Sequence, residues 1–444
     1  MHLILQILFI IIAGVSGFIF VRKAASIRRN ILLGRDESLN DQPGLRIKNV
    51  VLLALGQKKM FKRPLPAIFH FFVYAGFVLI NIEVLEIILD GIFYGEGHRM
   101  FQPLLGNFYN VVIGFFEVLA VLTLISVIIF LIRRNIVKVR RLNMKELDGF
   151  PKKDANTILW IEVVLMTMLL LMNTAEGAIR IKEGHADSTF FVSGYLTGLL
   201  GSLSVPTLNL IEHICWWGHI LGIFAFLNYL PYSKHFHIIL AFPNAYFTRL
   251  VPQGEMKNMK EIQNEVLYMM QPELAPVPAE GAGEPAHQRF GAKDVTDLSW
   301  KNLLDAYSCT ECGRCTDVCP ANITGTKLSP RKIMMDTRDR LEEVGRNIDT
   351  NKTFQDDGKT LVHDYISVEE LRACTTCNAC VEACPVGIEP LDIINQLRRY
   401  LVMEESNSPQ EWNLMFSNIE NNMAPWKFSP DERDKWAEEM AATS

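Results

Sequence analysis

Apolar residues run almost unbroken through long tracts of the first half of the chain, and then the pattern changes. Five stretches, residues 3–21, 66–89, 108–132, 158–181 and 208–230, are apolar over a length that can cross a bilayer, which takes roughly 20 helical residues. The pattern predicts five membrane helices. The first stretch lacks a basic start and a small-residue cleavage site, and basic residues follow it, so it reads as a retained span rather than a signal peptide. Residues 45–60 and 190–203 are apolar without being long enough to span. The former predicts an interfacial helix ending in lysines; the latter, rich in Gly and Ser, predicts a segment packed across the opposite surface. Beyond residue 250 the sequence is polar, acidic and punctuated by proline. Residues 271–291, rich in Pro, Ala, Gly and Glu, have no apolar period and predict a linker. After it come a helix over residues 330–344, a loop near 349–359 and an acidic tail with Trp412, Trp426 and Trp436. Exposed tryptophans mark partner surfaces; packing into a core is the equal alternative for each.

Charge orients the predicted spans. A formal net charge of −5 gives no bias toward nucleic acid, and a mean hydropathy of +0.14 averages two unlike halves. The loops after spans one and three are rich in basic residues, among them Arg28, Arg29, Lys62, Arg63, Arg133, Arg134, Arg140 and Arg141. The loops after spans two and four hold little beyond Arg99, Arg180 and Lys182. Basic residues favour the cytoplasmic side, so the N-terminus is expected outside and the polar half in the cytoplasm.

Eight of the nine cysteines lie in two copies of one spacing. The first is Cys309, Cys312, Cys315, Cys319 and Pro320; the second is Cys374, Cys377, Cys380, Cys384 and Pro385. Each reads C-x2-C-x2-C-x3-C-P, the run that holds [4Fe–4S] cubes, with the fourth cysteine ligating the other cube. Cys309, Cys312, Cys315 and Cys384 are therefore expected on one cluster, and Cys374, Cys377, Cys380 and Cys319 on the other. Zinc sites favour C-x2-C pairs, and disulfides need an oxidising compartment. The ninth, Cys215, sits in an apolar run and reads as an inert buried thiol.

Ionisable residues inside a span are functional candidates because burying them is expensive. Two imidazoles from facing helices can clamp a b-type haem, leaving no open position. His70 lies about one turn inside span two. His219 and His237 are 18 residues apart, five turns and about 27 Å of rise if one helix continues through Pro231. Depth pairs His70 with His237 near the cytoplasm and leaves His219 for a second haem or a quinone site. The position in span two that would match His219 is Ile80. His235, beside Lys234, reads as an interfacial or satisfied core residue; His98 and His185 lie in outer loops. Glu83, Glu86, Glu176 and His213 are candidates for a quinone site in the outer halves of the spans, or for helix caps and partners of Arg180.

The stretch from Trp216 to His237 resembles the fifth helix of the nitrate reductase gamma-subunit type of cytochrome b, in which two histidines 18 apart are ligands; they match His219 and His237, and His70 matches the ligand of the second helix nearest the cytoplasm. The whole layout resembles the heterodisulfide-reductase-like membrane iron–sulfur oxidoreductases, including electron-transfer-flavoprotein:menaquinone oxidoreductases of bacteria. The shared features are LPYSKHFH at 230–237 followed by Pro243 and Asn244, TAEGAIR at 174–180, and the segment 425–439. Longer relatives carry a cysteine-rich CCG-type domain after that segment. The resemblance implies a bacterial cytoplasmic-membrane protein whose CCG domain is a separate cytoplasmic subunit, with an electron-transfer flavoprotein or another flavin as donor.

The expected fold is an all-α membrane bundle of five transmembrane helices, cytochrome b type, plus a mainly α-helical two-[4Fe–4S] ferredoxin domain. The expected boundaries are 1–245 for the bundle, 246–295 for an amphipathic segment and linker, 296–402 for the cluster domain and 403–444 for a partner-contacting tail. The expected function is electron transfer between a cytoplasmic partner and menaquinone through two clusters and one or two b haems. The competing reading is a ferredoxin module merely anchored in the membrane, without haem or quinone; a sensor with labile clusters fits poorly with four cysteines at each site.

Overall fold

The computed structural model describes residues 2–94, 99–184, 190–252, 254–275 and 289–443. His98, His185 and residues 276–288 of the expected linker lie outside them. No β-strand forms among the described residues.

Among the described residues, five long helices are apolar enough to cross a membrane: α1 (His2–Ile31), α2 (Pro64–Phe93), α3 (Asn107–Asn135), α4 (Phe150–Lys182) and α5 (Val205–Tyr229). Proline opens α2 at Pro64 and stands in the first turn of α4 and α5, where its missing N–H has no intrahelical partner to lose. Small residues bring the helices together, as they do where lipid offers no hydrophobic drive between spans. A side chain at Gly218 would lie 2.9 Å from Met168 Sδ, and one at Gly222 2.7 Å from a Leu165 methyl, so α5 sits hard against α4. Gly76 on α2 stands equally close to Thr123 on α3.

Two expectations about these elements change. The basic residues from Arg22 to Arg29 do not form a loop; they ride on the last turns of α1, which runs on past the apolar stretch. The helix bearing His219 does not continue to His237 either. It ends at Tyr229, and two short 3₁₀ turns, Leu230–Tyr232 and Lys234–Phe236, separate it from α6 (His237–Tyr246). Pro231 has no N–H for a helix interior. Ser233 adopts extended backbone, with its hydroxyl accepting from the His235 N–H at 3.0 Å. His237 therefore opens a new helix.

The polar half is built on α7 (Trp300–Ser308), α8 (Pro330–Asn351) and α9 (Pro390–Met403). Ser299 and Asn302 close a reciprocal cap on α7. Fully buried Arg340 on α8 ties down Asp294 at 2.7 Å and Asp357 at 2.6 Å. The core of this domain is continuous with the bundle: Leu303, Ile333 and Leu397 share one apolar cluster with Ile27, Ile158, Phe226 and Phe236. Charge reinforces the join. Lys23 meets Glu342 at 3.1 Å, Arg63 meets Asp317 at 2.6 Å, and Arg29 and Lys62 pair with Asp349 and Glu382. One pair is reversed: Glu146, in the loop after α3, accepts from fully buried Arg331 at 2.6 Å. The cluster domain thus docks on the end of the bundle that carries the basic residues. Residues 45–60 pack alongside α6, through the short helix Pro43–Asn49 and a π-helical turn. The tail folds into α10 (Gln410–Asn422) and α11 (Lys435–Thr443), and all three of its tryptophans are exposed.

Candidate metal centres

The two cysteine runs fold alike. In the first, Glu311 and Gly313 flank Cys312 with φ of 53° and 71°; in the second, Thr376 and Asn378 flank Cys377 with φ of 56° and 62°. These left-handed residues curl each loop so that its first three cysteines converge, a backbone strain common at ligand sites. A short helix follows each turn, Arg314–Asp317 and Ala379–Ala383. The fourth cysteine of each run then begins a turn led by Pro320 or Pro385 and reaches the other loop.

Two cavities result. One is lined by Cys309, Cys312, Cys315 and Cys384; the other by Cys319, Cys374, Cys377 and Cys380. Met334, Val386 and Ile388 add apolar side chains to the first lining, and Leu328, Leu391 and Ile394 to the second. Burial pushes the Cys309 and Cys380 thiols up to about 12 and Cys384 to about 11, so a bare thiol here holds its proton and iron must displace it. Backbone N–H groups already point at sulfur: Thr376 N lies 3.4 Å from Cys374 Sγ, and Ile388 N 3.3 Å from Cys384 Sγ. Such bonds tune cluster potentials.

The cavities differ in position. Arg141, from the loop after α3, donates to the Cys312 carbonyl, and Arg314 donates to the Lys59 and Met60 carbonyls at 3.2 and 3.3 Å. The first cavity therefore faces the bundle. In the second, Cys377 is exposed. Between the first cavity and the membrane lies a buried ion network that the sequence reading missed. Lys234 pairs with Glu311, which sits between Cys309 and Cys312, and approaches Asp154 on α4 at 3.7 Å. Arg338 adds a second cation to Glu311 at 2.8 Å. The available signal was a lone lysine beside two histidines in an apolar stretch.

The histidines have defined second bonds. His237 Nδ1 lies 3.0 Å from the Lys234 carbonyl, His219 Nδ1 3.0 Å from the Leu165 carbonyl, and His70 Nδ1 3.0 Å from Gln57 Oε1. A ring that donates Nδ1–H to a carbonyl presents Nε2 as a free lone pair, the tautomer a metal takes. Gln57 is buried and held at φ 48° to make its contact. The Gly218–Gly222 approach places His219 against α4. The matching position on α2, Ile80, is buried and apolar. His235 packs among rings: its own lies 5.5 Å from that of His237, between Phe226 at 5.3 Å and Phe77 at 6.5 Å.

The outer carboxylates are largely engaged. Glu176 pairs with Arg180 at 3.0 Å and with Arg99, and Glu86 accepts from the Tyr109 hydroxyl and the Phe101 N–H, each at 2.7 Å. Cys215 is buried.

Comparison with known proteins places this geometry. Residues 308–388 match the family model of the 4Fe-4S dicluster domain. The chain is 28% identical over 462 residues to the probable iron-sulfur-binding oxidoreductase FadF of Bacillus subtilis, covering 98% of this chain and 61% of that protein. It is 27% identical over 433 residues to the EtfAB:quinone oxidoreductase of Syntrophomonas wolfei, covering 90% and 55%. A probable membrane-anchored ferredoxin of Chromohalobacter salexigens is 31% identical over 174 residues, covering 35% of this chain and 25% of that one. The chain thus spans about three-fifths of the length of the first two relatives. No solved structure matches. A membrane protein with a two-cluster iron–sulfur domain follows from these findings together.

Proposed function

We propose that this chain is the membrane electron-transfer subunit of an oxidoreductase, connecting a cytoplasmic redox partner to menaquinone. In this reading Cys309, Cys312, Cys315 and Cys384 hold the membrane-proximal [4Fe–4S] cluster, and Cys319, Cys374, Cys377 and Cys380 hold the distal one. His70 and His237 hold a b-type haem. When bound, these groups would supply one-electron carriers. Ile80 supplies no donor to match His219, so the reading takes one haem.

The observation that carries the proposal is the short connection between the two kinds of site. Lys234 accepts a hydrogen bond from the His237 ring through its carbonyl and holds Glu311 of the first cysteine loop through its ammonium. One residue thus positions both a haem-ligand candidate and the loop of the nearer cluster. The exposed Cys377 leaves the distal cluster facing a docking partner. A CCG-type subunit suits that role. The name of the relative in Syntrophomonas wolfei, an EtfAB:quinone oxidoreductase, supports a flavoprotein donor and a quinone acceptor. The basic residues at the docked end support a cytoplasmic cluster domain and an N-terminus outside.

The test is the purified full chain in detergent. Iron and acid-labile sulfide should match two cubes plus one haem, and dithionite should raise a b-type α band that is lost in H70A and in H237A. Retained clusters without a b-type band would overturn the haem assignment and favour the anchored-ferredoxin reading.

A further inference from the structure

Glu162 is a carboxylate in the wrong place for a structural one. It lies on α4, four residues beyond Ile158, where the apolar stretch begins, or about 6 Å into the expected lipid layer. The residue is 8% exposed. Its Oε2 is buried and makes no hydrogen bond. Its Oε1 stands 3.9 Å from His235 Nε2, beyond hydrogen-bond reach. A buried polar atom without a partner is costly, and a solitary carboxylate inside a span marks a functional site by default. Glu86 and Glu176 contrast with it, because each has close partners.

The surroundings indicate the missing partner. Glu162 and His235 form a polar edge, while Phe226 and Phe77 flank His235 with apolar faces. A flat, mostly apolar ligand with a carbonyl at its rim fits such a frame. His235 in turn lies against His237, ring centroids 5.5 Å apart. We propose that Glu162 and His235 are the polar end of the quinone site, on the cluster-facing side of the bundle and beside the His70–His237 pair. The assignment rests on the proposed haem and quinone chemistry. It replaces the outer-half residues as the place where that chemistry occurs.

The roles follow from the donor atoms. His235 Nε2 and the Glu162 carboxyl close their gap on one carbonyl oxygen of a naphthoquinone, and the Phe rings hold its plane. Conversion to the quinol takes two electrons and two protons, and both C=O groups become C–OH. A haem held by His70 and His237 would supply the electrons one at a time. Glu162 gives one proton to the oxygen it touches and regains it from water at the same membrane face, which supplies the second proton to the other oxygen. Oxidation of a quinol runs the same balance backwards.

The experiment uses the full chain with its clusters, in detergent. Two readouts are taken: the rate at which menadione reoxidises the dithionite-reduced b band, and the binding of 2-heptyl-4-hydroxyquinoline N-oxide by fluorescence quenching, which needs no haem. E162Q should retain the b band and slow reoxidation by about 10²-fold or more, the scale of a lost general acid. E162D should restore much of the rate, and H235F should weaken the quinoline's binding at least about tenfold, the scale of one lost hydrogen bond to a buried group. Wild-type rates and binding in both E162Q and H235F would overturn the proposal, as would the same losses in E176Q with E162Q unaffected. If the wild-type chain lacks a b band, the parent reading fails, and the quinoline titration still decides the site: binding lost in H235F and E162Q supports it, and binding unchanged overturns it.

Discussion

Replacing Lys234 by Met removes one charge from the network that joins the halves and keeps most of the volume of the stem. The Lys234 side chain is 9% exposed, Glu311 3% and Asp154 1%. Burial pushes the Glu311 carboxyl up, yet Arg338 and Lys234 outweigh it and hold the group below the ordinary 4.5. In K234M, Glu311 keeps Arg338 at 2.8 Å and Asp154 keeps the Tyr229 hydroxyl at 2.6 Å. Removing one partner of a buried pair costs about 3–5 kcal/mol, and the surviving partners place this case at the low end, about 3 kcal/mol. The cost falls on the docked state, because Glu311 meets water once its loop lifts away. An undocked population about 10²-fold larger follows. Hydrogen exchange reads this directly: amides of residues 309–319 should exchange about 10²-fold faster in K234M, with little change at the far end of α8. The double variant K234M/E311Q should recover part of the loss, since no stranded carboxylate remains. A folded K234M whose loop exchanges at the wild-type rate would show that the bridge does not hold the halves together.

Three further outcomes are expected. C384S, although in the second run, should abolish the cube held by the first run and spare the other, with C319S doing the reverse; low-temperature EPR with iron content checks this, and a variant losing the cube of its own run refutes cross-ligation. G313A should destabilise the cluster domain by about 1–3 kcal/mol, the usual scale of a forced left-handed residue, because φ is 71° there and the added carbon would collide with Arg331 Nη1 and lie 2.9 Å from the Arg141 carbonyl; thermal loss of cluster absorbance measures it. Burial pushes the Glu146 carboxyl up, but Arg331 and Ser329 outweigh it and hold it below the ordinary 4.5. A folded value below the unfolded one means that its contribution is complete above about 4.5 and is lost as pH falls through the lower folded value. Docking followed by exchange should weaken over that window, and E146Q should flatten the dependence.

The sequence was most informative where chemistry repeats locally. The cysteine spacing anticipated which side chains share a cavity, because the left-handed turns at Glu311, Gly313, Thr376 and Asn378 act within one loop. The five spans were legible as runs of apolar residues. The break between His219 and His237 was not, because a whole number of turns looked like one continuous helix; Pro231 and the extended Ser233 overrule that periodicity. The pairs Lys234–Glu311 and Glu146–Arg331 and the neighbours of His235 join segments distant in the chain, and no local period encodes them. Glu162 was passed over in favour of Glu83, Glu86 and Glu176, because its unsatisfied oxygen is a property of the packed state.

The first helix has a consequence beyond anchoring. Only 11% of the apolar window of α1 is buried within the protein, yet at its C-terminal end Asn30 bonds the Tyr307 hydroxyl at 3.0 Å and Lys23 grips Glu342. A rod held by lipid at one end and by a redox domain at the other is a lever. Bilayers that thin or thicken make such rods lean, and here the lean would be transmitted to the seat of the nearer iron–sulfur cube. Membrane composition is thereby a mechanical input to this molecule.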